Sequence, residues 1–296
     1  MTDNQNFSGI IVPLVTPFDK DGNLDSEKIN ILIERYLNIG VHGFYIGGTT
    51  GEGLFQSVNE RCQFLKVVSE LVGNKGLLIA QVGALSERDV HKIAIFASEN
   101  HFDVISSTPP FYFNHSEREI VNYYKRLSKI SDLPILMYNT PGATGQNISI
   151  DAQIDMLKMP NIVGSKHTDM NFFNAERLLR EIPTAAIFNG PDEMLTGGLA
   201  MGMVGGIGST YNLMPRLYLE IYNSMNLGEL KNAQRLQAIA NDVTFELLRI
   251  SPGVVPGIKH GLKVLGFDVG EPRKPFLPIE NDTRMFEKLL LDTNSF

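Results

Sequence analysis

Residues 77–107 read LLIAQVGALSERDVHKIAIFASENHFDVISS and contain a strand, a helical segment and a second strand. The two apolar runs at its ends are short and rich in aliphatic residues, whereas the segment between them has the spacing of an amphipathic helix. Runs of the same kind recur along the chain, each followed by a helical pattern. They are Gly9–Val15, Gly43–Gly47, Leu77–Val82, Asp103–Ser107, Pro134–Tyr138, Ile162–His167, Ala185–Asn189 and Val204–Ser209. Strands that alternate with helices predict a parallel sheet, and eight of them predict that the sheet closes into a barrel.

The prediction is therefore an α/β fold, a (β/α)8 TIM barrel in a single domain spanning residues 1–296. Helical patterns continue after the eighth strand for longer than one barrel helix requires. They cover Pro215–Met225, Glu229–Ile250, Pro256–Leu265 and Thr283–Leu291. We assign residues 1–225 to the barrel and residues 226–296 to a C-terminal helical extension packed on it, because no Gly/Ser-rich linker separates the two.

Two barrel helices carry a recognisable start signal. Ser57 with Glu60, and Ser116 with Glu119, have the spacing of a capping box, in which the two residues satisfy each other's free backbone donors. We expect helices to begin directly after both serines.

Composition and charge narrow the class of protein. The net charge is −7 with acidic and basic residues interspersed, which argues against nucleic acid or an anionic membrane as the partner. The single cysteine, Cys62, excludes an internal disulfide framework, and no apolar run is long enough for a membrane span. The polar start MTDNQNF has no signal-peptide pattern, so a cytoplasmic location is expected.

A lysine lies in the sixth strand, IVGSKHT, residues 162–168. Since side chains alternate between the faces of a strand, Gly164, Lys166 and Thr168 share one face. Burial in an apolar strand beside a glycine disfavours the charged form and favours a nucleophilic amine. The alternative is a lysine that only caps the strand or pairs with a carboxylate.

The fifth strand ends in PILMYN and places Tyr138 at its tip. Neighbouring strands of a barrel would bring Tyr138 beside Lys166, where a phenol can relay protons to an amine. The alternative is a buried core aromatic whose hydroxyl is satisfied.

A glycine-rich segment, GGTTGEG at residues 47–53, follows the second strand. Its glycines permit close backbone approach, and Thr49 and Thr50 add hydroxyls beside backbone N–H groups, a combination suited to a carboxylate. The segment lacks the Gly-Lys-Ser/Thr ending of a phosphate-binding loop, and a simple tight turn is the alternative.

The last two strands end in FNGPDE and GGIGST. Glycines with Ser209 could bind a phosphate, as loops after the seventh and eighth strands of such barrels often do. Asp192 and Glu193 would repel a phosphate but accept hydrogen bonds from sugar hydroxyls. The alternative for Asp192 is a helix N-cap. The six histidines form no cluster with metal-ligand spacing, so neither a metal nor another cofactor is predicted.

The combination of GGTTGE, YNTP, VGSKHT and GIGSTYN resembles the dihydrodipicolinate synthase / N-acetylneuraminate lyase superfamily. The resemblance runs from IVPLVTPFD at residue 11 to RKPFLP at residue 273 and is strongest to the lyase branch. The synthase branch carries an arginine in the loop that reads YNTPGATG here, where Ala143 takes that position. Pro191 stands where some relatives carry an aromatic residue.

This resemblance implies a class I aldolase that cleaves N-acetylneuraminate to N-acetylmannosamine and pyruvate, without a cofactor. It implies that Lys166 forms the Schiff base, that Tyr138 relays the proton and that Tyr112 is presented across a subunit contact of a homotetramer. Thr49, with a catalytic role too, would bind the carboxylate together with Thr50. The residues implied to face the polyol tail are Thr168, Gly190, Asp192, Glu193, Gly208 and Ser209.

Two other readings remain open from the sequence. One is another pyruvate-dependent member of the superfamily, either a 2-keto-3-deoxy-sugar-acid aldolase or dihydrodipicolinate synthase. The other is a non-catalytic barrel used as a ligand sensor, against which the Lys166 and Tyr138 pair argues.

Overall fold

In a computed structural model, which describes residues 7–251 and 253–294, eight parallel strands close into a barrel. The strands are β1 Gly9–Pro13, β2 Gly43–Ile46, β3 Leu77–Gln81, β4 Val104–Ser107, β5 Ile135–Asn139, β6 Ile162–His167, β7 Ala186–Asn189 and β8 Gly205–Ile207. Each strand pairs with the next one along the chain, and β8 pairs with β1. The predicted (β/α)8 barrel is confirmed. The polar start on which the absence of a signal peptide was argued lies almost wholly outside the described residues.

Twelve α-helices are found in the described part of the chain. They are α1 Ser26–Ile39, α2 Val58–Val72, α3 Glu87–Glu99, α4 Glu117–Leu127, α5 Pro141–Thr144, α6 Ile150–Leu157, α7 Phe172–Glu181, α8 Leu195–Ala200, α9 Pro215–Asn226, α10 Leu230–Ile250, α11 Val254–Val264 and α12 Arg284–Asn294. Ser57 and Ser116 each form a complete capping box at the start of α2 and α4, as predicted. No helix in the described ranges is both long enough and apolar enough to traverse a lipid bilayer.

The interior of the barrel is a packed apolar core separate from the larger core between strands and helices. Its buried members are Ile11, Tyr45, Ile79, Val104, Leu136, Tyr138, Ala186, Phe188 and Ile207. Lys166 of β6 points among them, while Ser165 and His167 are fully buried on the opposite face. The predicted alternation along β6 therefore holds.

Gly164 allows strands β6 and β7 to approach each other closely. A Cβ at this position would lie 2.0 Å from the backbone oxygen of Ala186 in β7. The glycine therefore lets two strands approach closely, and the space beside it is filled by backbone and is not kept open for the lysine.

Two strands, β1 and β8, end two residues earlier than the sequence pattern indicates. β1 stops at Pro13, and the N–H of Val15 donates to the side chain of Asn212 at 3.4 Å in place of a strand neighbour. β8 stops at Ile207, because the chain turns at once into the 3₁₀ segment Ser209–Asn212. Neither the side-chain hydrogen bond after β1 nor the turn after β8 is encoded by periodicity.

The C-terminal helices contact the end of the barrel at which the strands terminate. α10 packs along α9 and against the 3₁₀ turn Asp192–Met194 that follows β7. α11 packs against the turn that follows β8. The extension thus supports the loops at the carboxyl ends of the strands, where barrels of this kind place their active sites.

Candidate active site

Lys166 and Tyr138 face each other across neighbouring strands. Tyr138 in β5 is in register with Lys166 in β6, as the sequence predicted, and each side chain is 6% exposed. The Lys166 Nζ lies 4.4 Å from the centroid of the Tyr138 ring. The pair is therefore largely withdrawn from water at the top of the barrel core, where an amine and a phenol can exchange a proton.

The electrostatics favour the phenolate form of Tyr138, which can accept a proton. Burial acts to raise the pKa of Tyr138, but the positive charge of Lys166 and hydrogen bonds with the side chains of Thr49, Thr168 and Lys166 together outweigh it. The net effect is a pKa of Tyr138 below its ordinary value. A general base needs its proton-free form to be accessible near the working pH, and this shift is in that direction.

Tyr45 is a site residue that the sequence argument missed. Its ring centroid lies 4.7 Å from Lys166 Nζ and 6.1 Å from the Tyr138 ring, which it meets edge to face. Its hydroxyl donates to Ser106 Oγ at 3.0 Å. Tyr45 thus forms one wall of the lysine pocket. Its position in the short strand GFYI, beside the glycine-rich segment, was the available signal.

The segment after β2 forms a tight loop. Gly47 has φ +77°, a conformation that favours glycine, and a Cβ at Gly53 would lie 1.9 Å from the Gly47 carbonyl oxygen. The N–H of Glu52 donates to the Thr49 carbonyl at 3.0 Å, which closes a turn around the two threonines. Thr49 is accessible to solvent while its side chain hydrogen-bonds Tyr138, whereas Thr50 is buried and anchors the loop.

Thr50 and Ser209 join two predicted parts of the site. Thr50 Oγ1 and Ser209 Oγ lie 2.7 Å apart and share a hydrogen bond between the loops after β2 and β8. Asn212, in the same turn as Ser209, donates to the Pro13 carbonyl at 2.9 Å. The end of β1, the loop of residues 47–53 and the loop after β8 are therefore linked, as adjacent strands of the closed barrel require. The loop of residues 47–53 is called the carboxylate loop below, after the ligand predicted for it.

Arg61 was also missed. It is 4% exposed in α2, and its guanidinium donates to the carbonyl oxygens of Gly83 at 2.9 Å and Gln81 at 2.5 Å, as well as to Gln81 Oε1. No carboxylate pairs with it among the described residues, and burial lowers its pKa to about 10. A buried cation therefore lies beneath Gly47, whose Cβ position is 3.8 Å from the Arg61 Nε. The apolar periodicity of α2 placed Arg61 on the buried face, which was a usable signal.

Asp192 is buried and bonded within the protein. Its Oδ2 accepts from both the N–H and the hydroxyl of Thr210 at 2.6 Å. Burial raises its pKa to about 6, and the Thr210 hydrogen bonds act against that rise. Its Oδ1 fills the space where a Cβ of Gly208 would be, at 2.0 Å. The N-cap alternative is wrong, because Pro191 caps the turn and Asp192 follows it.

The remaining predicted tail-facing residues lie beside this carboxyl. Glu193 is half-buried, and only its backbone carbonyl is held, by Asn241 at 3.2 Å. Gly190 lies against Thr168, since a Cβ there would be 2.0 Å from Thr168 Oγ1. The loops after β6, β7 and β8 thus bring Thr168, Gly190, Asp192, Gly208 and Ser209 to one end of the barrel.

Ala143 and Tyr112 lie in different places. Ala143 lines a cavity of about 60 Å³ together with Thr49, so the position at which the synthase branch carries arginine is at the site. Tyr112 is 82% exposed with φ +79° and lines a separate surface hollow of about 490 Å³. Within the described residues of one chain, Tyr112 is not brought to the Lys166 pocket. No group of three or more His, Cys, Asp or Glu side chains in these residues is arranged to hold a metal ion.

Comparison with known proteins decides the family. A model of the dihydrodipicolinate synthetase family matches residues 6–292. The chain belongs to this family. Membership places it among pyruvate-dependent aldolases and lyases, and the resemblance inferred from sequence is confirmed.

Relatives from both branches of the dihydrodipicolinate synthetase family are similar to this chain. The N-acetylneuraminate lyase of Rhizobium meliloti is 37% identical over 272 residues, which cover 92% of this chain and 90% of the relative. A lysine mutant of the Ruminococcus gnavus sialic acid aldolase has a TM-score of 0.95 at 27% identity, covering 100% and 99% of the two chains. A dihydrodipicolinate synthase from Bacillus anthracis reaches 0.91 at 26% identity, with 96% and 98% covered. The fold is thus common to both activities.

Proposed function

We propose that this protein is an N-acetylneuraminate lyase that works through a Schiff base on Lys166. The observation that carries the proposal is the buried pair of Lys166 and Tyr138, held in register on adjacent strands. The identity of 37% to a curated N-acetylneuraminate lyase supports the substrate, and a solved relative is described as a catalytic lysine mutant.

The first steps build the covalent intermediate. Thr49, Thr50 and the backbone around them hold the substrate carboxylate, with the buried Arg61 contributing positive charge from below the loop. The neutral Lys166 amine attacks the C2 ketone of the open-chain sugar acid and forms a carbinolamine. Tyr138 donates the proton with which the carbinolamine hydroxyl leaves as water, and this gives an iminium ion that can accept an electron pair, together with the Tyr138 phenolate.

The next steps break the C3–C4 bond. The Tyr138 phenolate accepts the proton of the C4 hydroxyl. The O–H electron pair then forms the C4=O double bond of N-acetylmannosamine, while the C3–C4 pair moves toward the iminium nitrogen and gives an enamine. The lowered pKa of Tyr138 suits it to this acceptance. Protonation of C3 and hydrolysis of the imine then release pyruvate and restore the Lys166 amine.

Specificity rests on the loops after β6, β7 and β8. In this proposal Thr168, Gly190, Asp192, Glu193 and Gly208 face the sugar tail. Ser209 also faces the tail, at the border with the carboxylate loop, where it hydrogen-bonds Thr50. Ala143 beside Thr49 supports the lyase over the synthase, because no cation stands there for a second carboxylate.

We also propose that the protein assembles as a homotetramer in which Tyr112 completes a neighbouring subunit's site. Its support is the exposure of Tyr112 and of the adjoining Phe113, whose ring it meets edge to face at 5.0 Å. Size-exclusion chromatography with light scattering measures the assembly.

A trapping experiment tests the proposed chemistry. Incubation with pyruvate and borohydride should add mass at Lys166, and Lys166→Ala should abolish both the adduct and cleavage. An adduct that persists in Lys166→Ala would show that another amine is the nucleophile. A panel of N-acetylneuraminate, 2-keto-3-deoxygluconate and the synthase substrates, scored for pyruvate release or consumption, then separates the three substrate classes.

A further inference from the structure

The carboxylate loop is fastened from outside the barrel through Glu52. Glu52 is 3% exposed, and its φ of +56° lies in the left-handed region that non-glycine residues rarely adopt. Its Oε1 lies 2.7 Å from Lys259 Nζ in α11, and its Oε2 accepts the Arg273 N–H at 2.6 Å. Both carboxylate oxygens are therefore held by residues of the C-terminal extension.

The two partners of Glu52 are themselves firmly placed. Lys259 is buried like Glu52 and also donates to the Glu271 carbonyl at 3.2 Å. The Arg273 guanidinium donates to the carbonyl oxygens of Phe55 and Gly22, both at 2.8 Å, and pairs with Glu60. Arg273 thus also binds the segment that follows the carboxylate loop, through the Phe55 carbonyl.

This anchor is directly connected to the threonines. The Glu52 N–H closes the turn on the Thr49 carbonyl at 3.0 Å. The Gly51 carbonyl between them accepts from Thr16 Oγ1 at 2.6 Å and from Gln56 Nε2 at 2.7 Å. A non-glycine residue keeps a left-handed conformation only where its surroundings stabilise it. For Glu52, the ion pair with Lys259 and the hydrogen bond from the Arg273 N–H provide this stabilisation.

We propose that Lys259 and Glu52 are positioning residues for substrate binding, through which the C-terminal extension sets the geometry of the carboxylate loop. The inference rests on the proposed function, in which this loop holds the pyruvate carboxylate. It assigns to the extension a role in the reaction besides packing. A buried pair whose members lie on the loop and on α11 fixes their relative position because neither ion can lose its partner cheaply.

The test compares the dependence of borohydride trapping on pyruvate concentration in three variants of the full chain. Lys259→Met removes the charge at similar length, and Glu52→Gln retains an acceptor for the Arg273 N–H while weakening the pairing with Lys259. Leu290→Ala is the matched control, since Leu290 is fully buried in α12 and its truncation destabilises the extension without touching the loop.

We expect both charge variants to raise the half-saturating pyruvate concentration by about ten-fold, because displaced threonines hold the carboxylate less well. The trapping rate at saturating pyruvate should stay within about two-fold of wild type, since Lys166 and Tyr138 are untouched. Leu290→Ala should lower the melting temperature and leave the half-saturating concentration unchanged.

Several results would overturn the inference. Wild-type pyruvate dependence in Glu52→Gln would do so even if Lys259→Met failed to fold. An equal shift in Leu290→Ala would show that general destabilisation accounts for the effect. If the wild-type protein itself formed no adduct at Lys166, the proposed function would fail and this inference with it. If the adduct formed with the same half-saturating pyruvate concentration in wild type and Glu52→Gln, only this inference would fail.

Discussion

Asp192 offers the sharpest test of how the sugar tail is bound. Its carboxyl is buried, and burial raises its pKa to about 6 in spite of two hydrogen bonds from Thr210. Glu193 acts to raise the pKa further, and Lys166 acts to lower it. The charge state of Asp192 therefore changes within the range in which enzymes are ordinarily assayed. Asp192→Asn removes this titration at nearly the same volume.

The sign of the stability effect follows from the direction of the shift. The pKa of Asp192 is above the ordinary value of 3.8, so between these two values the unfolded chain loses the proton while the folded protein keeps it. Stability therefore falls as the pH rises through this window. Above about pH 6 the shifted pKa of Asp192 lowers the free energy of unfolding by roughly 3 kcal/mol. At pH 5 it lowers the free energy of unfolding by on the order of half that amount.

The catalytic consequence follows from the same titration. Only about a tenth of Asp192 is ionised at pH 5 if its pKa is near 6, so kcat/KM for N-acetylneuraminate cleavage should fall by about ten-fold between pH 8 and pH 5 from this group alone. In Asp192→Asn that acid limb should be absent. The plateau should be lower by roughly one to two decades, the value of a lost hydrogen bond to a charged acceptor.

Two measurements on each protein decide the question. Initial rates of pyruvate release from pH 5 to 8 give the profiles, and urea unfolding at pH 5 and pH 8 gives the stability difference. Borohydride trapping of pyruvate at Lys166 serves as the control, because it should follow the same pH dependence in both proteins. An acid limb with the same midpoint in Asp192→Asn, or a loss of adduct formation, would refute the assignment of Asp192 to the tail.

Two further predictions concern the chemistry at the centre of the barrel. Tyr138→Phe should retain the fold and the pyruvate adduct, while kcat falls by roughly 10²–10⁴-fold because a positioned proton-transfer group is lost. Pyruvate release measures kcat, and a value close to wild type would show that Tyr138 is only a core aromatic residue. Cleavage should survive exhaustive treatment with a chelator, because the iminium ion accepts the electron pair without a metal; activity that disappears with the chelator and returns with a divalent ion would count against the Schiff base.

Much of the fold was accessible from the sequence because its signals are local. The apolar runs recur at the interval of βα units, and the barrel formed from them closes as expected. Period-two alternation placed Lys166 on the face opposite Ser165 and His167, and strand adjacency placed Tyr138 beside it. The capping boxes at Ser57 and Ser116 depend on residues three positions apart, and both are formed.

The contacts that shape the site were harder to predict from the sequence. Asp192 was assigned to ligand hydroxyls, yet one of its oxygens is already occupied by Thr210. Tyr45 was passed over because an aromatic residue in a strand is ordinarily core. Its role as a wall of the lysine pocket depends on which rings meet inside the closed barrel.

The sequence by itself determined the order of strands and helices, the residues that share a strand face with Lys166 and the family to which the chain belongs. Only the tertiary structure decided that Arg61 lies buried beneath the carboxylate loop and that Glu52 is held by Lys259 and Arg273. The physical reason is range. Periodicity and capping act between near neighbours along the chain, whereas a buried ion pair joins residues that only closure of the barrel and packing of the extension bring together.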